Sequence, residues 1–305
     1  MKKILIGIDG SKPSMDALNY FLRLSKELSL GLAAIRVINE PRISEWIGVK
    51  KAMMKQAEDE AKVLLGQVVS IAKNSGVEIE TVIKKGDPSE EIIKYAKEDN
   101  DVVLVGAGHA GRGMTARRVL GSVAYLLVDE VSKSMPCPVM IISCGECKHI
   151  KDGKILVAFD GSVPSLHALR YSIDLAKSLN AKILAISVKS VARFTHWISA
   201  YKKLEEEMTE EAKKNIEKAN EIGKEKNTDI EGIVKTGEPP DEIIKLARER
   251  DASLIAIGAS GKHLTAKRLL GSVTESVLKE LGKGNVCPVV VVPGIDEVIH
   301  KRLGI

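Results

Sequence analysis

A chain of 305 residues, 44% apolar and 29% charged, is long enough for two domains and too apolar to remain disordered. Its 46 basic and 41 acidic residues are interspersed and only 3% of residues are aromatic, so it lacks both the one-sided positive field and the stacking rings of a nucleic-acid-binding protein. No apolar run approaches the roughly 20 residues of a membrane-spanning helix, and Gly7, Asp9 and Gly10 break the N-terminal run too early for a signal peptide, so a cytoplasmic protein is expected, with no membrane partner.

Short continuous runs rich in Ile and Val predict strands at 3–8, 32–38, 77–83, 101–106 and 138–142, buried on both faces as in a parallel sheet. Between them helical spacing is predicted over 14–28 (with Leu18, Phe21, Leu22 and Leu28 on one face), 50–74, 89–97 and 122–134. Ser14 is placed as the N-cap of the first helix. The pattern then starts again. Ile4-Leu5-Ile6-Gly7-Ile8-Asp9-Gly10-Ser11 matches Ile155-Leu156-Val157-Ala158-Phe159-Asp160-Gly161-Ser162, and Pro13-Ser14 returns as Pro164-Ser165. Gly86-Asp87-Pro88 matches Gly237-Glu238-Pro239, Leu120-Gly121-Ser122-Val123 matches Leu270-Gly271-Ser272-Val273, and Cys137-Pro138-Val139 matches Cys287-Pro288-Val289. A duplicated unit of this length is a domain, so the expected boundaries are 1–143 and 154–305 with 144–153 as linker. Strict alternation of five strands and four helices predicts two tandem doubly wound α/β domains, each on a five-stranded parallel sheet. Such sheets bind ligands at the carboxyl ends of their strands, where strand order reverses.

The first strand of each half exits into Asp9-Gly10-Ser11 or Asp160-Gly161-Ser162, which alone is either a turn or part of a site. The fourth strand carries more. Gly258 and Gly261 are followed after nine residues by Gly271-Ser272, and Gly108 and Gly111 are followed at the same spacing by Gly121-Ser122. Glycines let the backbone approach a phosphate and turn successive N–H groups toward it. Gly-Ser opening a helix adds a hydroxyl, unpaired amides and the positive end of the dipole. Arg117, Arg118, Lys267 and Arg268 are either further positive charge for that anion or solvated basic turns. Gly106-Ala107-Gly108-His109-Ala110-Gly111 fits the dinucleotide fingerprint literally, but it follows the fourth strand and lacks the acidic residue about 20 positions on, so that reading is rejected. No P-loop motif occurs.

The strand-end Asp, the G-x2-G-x9-G-[ST] spacing and the closing Cys-Pro-Val strand, present once per half, resemble the universal stress protein family. The resemblance implies an adenine nucleotide alpha-hydrolase-like sheet in the order 3-2-1-4-5, with adenine nucleotide (ATP, ADP or AMP) between strands 1 and 4. It implies that Asp9 and Asp160 face the ribose or a metal such as Mg²⁺, beside Gly10, Ser11, Gly161 and Ser162. Backbone near Val37 and Val188 would meet the adenine edge. Gly106, Gly108, Gly111, Gly121 and Ser122 would cradle phosphates in one half, and Gly258, Gly261, Gly271 and Ser272 in the other. It further implies that the last strands of the halves, 138–142 and 288–292, pair antiparallel as an intramolecular pseudo-dimer, with a homodimer left open.

A general base is not evident. His109 and His263 are not equivalent in the repeat, and no Ser–His–Asp or metal-ligand pattern occurs in both halves, so no catalytic residue is assigned. The expected function is an adenine-nucleotide-binding stress-response regulator, with slow ATP hydrolysis or self-phosphorylation at most. Cys144 and Cys147 form C-x-x-C in the linker, two residues before His149, and are either a metal or redox pair or two free thiols. A redox- or metal-responsive interaction protein is therefore the alternative. Trp46 and Trp197 either line a partner surface or pack over the sheet. The two nucleotide sites are expected to be unequal and the second better, because aligning 101–106 with 253–258 leaves the first loop two residues longer and richer in glycine (Gly106, Gly108, Gly111, Gly113). A register beginning at Gly108 restores the spacing, and a side-chain period of two does not choose between them.

Overall fold

In the computed structural model, the described residues are 1–39, 47–111, 120–143, 147–190, 198–261, 270–281 and 287–294. The first half runs β1 (Lys3–Gly7), α1 (Lys12–Leu28), β2 (Gly31–Ile38), α2 (Ile47–Asn74), β3 (Ile79–Lys85), α3 (Pro88–Glu98), β4 (Val102–Gly108), α4 (Ser122–Val131) and β5 (Val139–Ile142). The second repeats it as β6 (Lys154–Ala158), α5 (Val163–Leu179), β7 (Lys182–Lys189), α6 (Ile198–Glu225), β8 (Ile230–Thr236), α7 (Pro239–Glu249), β9 (Leu254–Gly258), α8 (Ser272–Leu281) and β10 (Val289–Val292).

The strands form one sheet in the order β3-β2-β1-β4-β5-β10-β9-β6-β7-β8. Pairing is parallel throughout each half and antiparallel at the join, where Met140 lies opposite Val290. The uninterrupted apolar strands are explained by helices on both faces. Residues of α1, α2, α5 and α6 pack with alternate strand residues such as Ile4, Ile6, Ile155 and Val157, and those of α3, α4, α7 and α8 pack with Leu5, Val105, Leu156 and Ile255. Each half's final cysteine lies near a tyrosine of the other half. Burial raises the pKa of Tyr20 and Tyr171, and the next influence is Cys287 on Tyr20 and Cys137 on Tyr171. Burial likewise pushes the Cys287 thiol up to about 12.

Two local expectations are corrected. The N-caps of α1 and α5 are Ser11 and Ser162, three residues before Ser14 and Ser165. Each cap takes extended backbone (φ −72° and −70°) and accepts the N–H of Ser14 or Ser165, whose hydroxyl donates back to the cap carbonyl at 2.9 Å. The helices therefore begin one turn earlier, through Pro13 and Pro164, whose missing N–H costs nothing there. The register of strand 4 is also settled. Ile4 lies beside Leu104 and Ile155 beside Leu254, and an irregularity at Lys3/Ile4 takes up the extra residue of the first half. Gly108 is thus the counterpart of Gly258, and the two loops to Gly121 and Gly271 are equal in length.

Candidate functional site

At the tip of β1 the carboxylate of Asp9 accepts the N–H of Ser11 at 2.8 Å, and at the tip of β6 Asp160 accepts the N–H of Ser162 at 2.9 Å. The Ser162 hydroxyl adds a 2.5 Å bond to the same oxygen. Gly10 and Gly161, at φ 80° and 77°, make the left-handed turn that lets the chain fold back on the Asp. These local bonds to Oδ1 hold each carboxylate at its strand end.

The glycine-rich segment closes over this Asp. A Cβ on Gly111 would stand 2.9 Å from Asp9 Oδ2, and one on Gly261 would stand 2.9 Å from Asp160 Oδ2. A Cβ on Gly108 or Gly258 would reach 2.6 Å from the carbonyl carbon of Pro13 or Pro164, so these strand-end positions require glycine. The Gly121 N–H donates to the His109 carbonyl at 2.7 Å and the Gly271 N–H to the Ala259 carbonyl at 2.8 Å, which fixes the helix start against the strand tip. At α4 the cap residue is Gly121, which has no side chain to bond the first-turn N–H groups that begin at Ser122. In the second half the Thr274 hydroxyl adds a bond to the Gly258 carbonyl at 2.8 Å, where the first half has Ala124.

Gly106 does not belong to this set. It lies within β4 two residues before the tip, and a Cβ there would stand 2.2 Å from the Phe21 ring. It makes room for an aromatic ring rather than for a ligand. Val188 lines the second half's cavity, and Val37, at the corresponding end of β2, is buried. Arg117, Arg118, Lys267, Arg268, Gly113, His263, Trp46, Trp197 and Cys144 lie outside the described residues. Cys147 is buried and disulfide-bonded, so in this state it offers no thiolate to a metal, whereas Cys137 and Cys287 form no disulfide. Among the described residues no group of three or more His, Cys, Asp or Glu is gathered to hold a metal ion.

A cavity of 690 Å³ opens at the carboxyl ends of β6, β7 and β9, lined by Asp160, Gly258, Gly261, Gly271, Ser272 and residues of α6. In the first half a groove of 860 Å³ runs between Gly10 and α2, past Gln56, Glu60 and Leu64. The sequence reading missed several groups of the second cavity: Ser187 and Lys189 on β7, Glu211 and Asn215 on α6, and Glu238 before α7. The only available signal was their position at the end of a predicted strand or on a helix's inward face. His109 is a feature of the first half alone. Burial is the main cause that lowers its pKa, and its Nδ1 is buried without a hydrogen-bond partner.

The family model for the universal stress protein family matches residues 1–143 and again 153–293. The chain belongs to the universal stress protein family. Among its relatives, a universal stress protein of Methanocaldococcus jannaschii is 33% identical over 141 residues, covering 46% of this chain and 81% of that one. One from Mycobacterium tuberculosis is 24% identical over 280 residues, covering 90% of this chain and 92% of that one. The crystal structure of a universal stress protein from Archaeoglobus fulgidus superposes with a TM-score of 0.71 at 21% identity, covering 96% of this chain and 98% of that one. That likeness shows the universal stress protein fold over both halves. Among the described residues no helix is long and apolar enough to cross a membrane.

Proposed function

We propose that this chain is a cytoplasmic regulator that binds adenine nucleotide (ATP, ADP or AMP) at the strand ends of each half and signals stress or energy status through its conformation. One observation carries the reading. Two copies of one cradle recur with the same close approaches, Gly108 and Gly258 against the prolines and Gly111 and Gly261 against the strand-end carboxylates. Chain segments that approach this closely only because glycine lacks a Cβ leave backbone N–H groups within reach of an anion. In this reading Gly121-Ser122 and Gly271-Ser272 present helix amides to the phosphates. Asp9 and Asp160, turned by Gly10-Ser11 and Gly161-Ser162, take the ribose hydroxyls. Backbone near Val37 and Val188 takes the base.

One fixed carboxylate per half, with no cluster of metal ligands among the described residues, suits a Mg²⁺ ion that arrives with the phosphates rather than a resident metal site. Bound there, the ion would neutralise phosphate charge, and Asp9 or Asp160 would face it in place of the ribose. The domains proposed are 1–143 and 154–305 about the linker 144–153. Equilibrium titration of the full chain with ATP, ADP and AMP tests the reading, alongside mass spectrometry of small molecules released from the purified protein. Saturable binding supports it, and no binding of any adenine nucleotide removes it.

A second reading uses the linker. The disulfide at Cys147 favours redox response over metal binding as the role of the C-x-x-C pair. If it holds, Cys147→Ser and thiol reductant change partner capture or proteolysis of the linker, and leave nucleotide affinity in place.

A further inference from the structure

We infer that His109 makes the first half's site proton-linked: an anion seated in the cradle draws a proton onto the imidazole, so binding tightens as pH falls. The inference rests on the nucleotide reading above. His109 belongs to the segment Gly108-His109-Ala110-Gly111 that forms one wall of the cradle, and both of its backbone groups are engaged there. Its N–H donates to the Ile142 carbonyl at the end of β5 at 2.8 Å, and its carbonyl accepts the Gly121 N–H at 2.7 Å. The ring is thereby tied to the joint between strand tip and helix start.

The fold does not ask for an imidazole at this joint. The counterpart in the second half is Ala259, whose N–H bonds the Val292 carbonyl at 3.0 Å and whose carbonyl accepts the Gly271 N–H at 2.8 Å. The same two bonds therefore form around a methyl group. The imidazole, by contrast, is half-buried and carries an Nδ1 shut off from water with no hydrogen-bond partner, an arrangement that costs stability.

Among the described residues the charges around the ring are few. From α1 comes Asp16, bonded to Lys12 at 3.3 Å, and its carboxylate favours a protonated ring. The end of β5 brings the Ile142 carbonyl, α4 opens with the uncharged Gly121 and Ser122, and Asp9 approaches the segment at Gly111, two residues on. Burial outweighs the Ile142 carbonyl and Asp16 and holds the ring's pKa below its ordinary 6.5, so by itself the imidazole is mostly neutral at pH 7. A phosphate in the cradle brings negative charge to the segment that carries the ring, in a partly buried place where water screens weakly, and this favours the charged form. The ring takes one proton from solvent, and both ring nitrogens then donate. Linkage is reciprocal, so a site whose filling raises proton affinity is itself tightened by protons, by at most ten-fold for each unit of pKa rise.

The probe is ATP, titrated calorimetrically into the full chain at pH 7 in two buffers of different ionisation heat, which yields the protons taken up per ATP bound. Gly271→Val serves as background, because it crowds Ser260 and closes the second half's cradle. His109→Ala in that background is the reference that subtracts the titration of ATP's own phosphates. With His109 intact, uptake should exceed the reference by roughly 0.3 proton or more, and the gain in affinity from pH 8 to pH 6 should be larger by about three-fold. Histidine NMR gives a second reading through the milder His109→Gln: the imidazole signal that this change removes should titrate at higher pH with ATP than without. Equal uptake with and without His109, or one titration midpoint for that signal in both conditions, overturns the inference and leaves nucleotide binding standing. If the background chain binds no ATP while the wild type does, the inference falls alone. If neither binds, the nucleotide reading falls with it.

Discussion

Gly106 and Gly108 lie two residues apart on one face of β4 and answer to different neighbours. The first faces the Phe21 ring and the second the backbone of Pro13. Gly106→Ala should therefore cost about 1–3 kcal/mol of stability through overpacking, while nucleotide affinity stays within about two-fold. The second half holds the complementary solution, with Ser172 and Ala256 at the equivalent positions. Combining Gly106→Ala with Phe21→Ser should accordingly cost less than the sum of the single changes, by about 1 kcal/mol or more in a denaturant double-mutant cycle. At the tip itself, Gly258→Ala should weaken both stability and nucleotide binding, because the new methyl meets fixed Pro164 backbone. His109 gives a pH prediction. Its folded pKa lies below the ordinary 6.5, so as pH falls from 7 the unfolded chain takes up the proton first and stability declines. His109→Ala, which copies Ala259, should flatten the fall of melting temperature between pH 7 and 5.

At the scale of elements, the start of a helix is both a folding signal and part of the site. Ser162→Ala removes the hydroxyl that accepts the Ser165 N–H and should cost about 1 kcal/mol, lowering the melting temperature by roughly 2–4 °C. Ser165→Ala should cost less, because its hydroxyl only returns a bond to a carbonyl that already caps the turn. The two halves differ in the helices that cover their strand ends, as at Leu64 of α2 and Asn215 of α6. Equal loop lengths remove spacing as a reason for unequal sites. The ranking now rests on the polar cavity walls supplied by α6 and β7 and on the Thr274 bond that holds the Gly258 carbonyl. Calorimetry on Gly121→Val and Gly271→Val should show the tighter binding phase lost only with the Gly271 change. Loss with the Gly121 change alone would reverse the ranking.

The whole molecule turns on one antiparallel ladder. β5 and β10 are four residues each and fully buried, and together they join two five-stranded sheets into one. Left apart, each would be an exposed apolar sheet edge prone to mispairing. Val290→Asp places an unpaired carboxylate at the centre of this ladder, opposite Met140 and beside Ala256. A penalty of several kcal/mol at the junction should split thermal unfolding into two transitions and open the linker to protease. A single unchanged transition would mean that the halves are held together elsewhere.

The sequence by itself determined what depends on neighbours along the chain. The duplication, the alternation of strand and helix, the Asp-Gly-Ser turns and the Gly/Ser spacing are legible because each arises within a few residues, or recurs at one offset. Tertiary structure decided what depends on distant partners. Ser11 and Ser14 both carry capping chemistry, and the backbone angle where the strand hands over to the helix chose between them. The β4 register needed Ile4 beside Leu104, because a slide of two residues leaves every side chain on its own face. Gly106 could be told from Gly108 only once Phe21 and Pro13 were in place. Asn215 and Ser187 are 28 residues apart, and they meet because α6 folds back over β7.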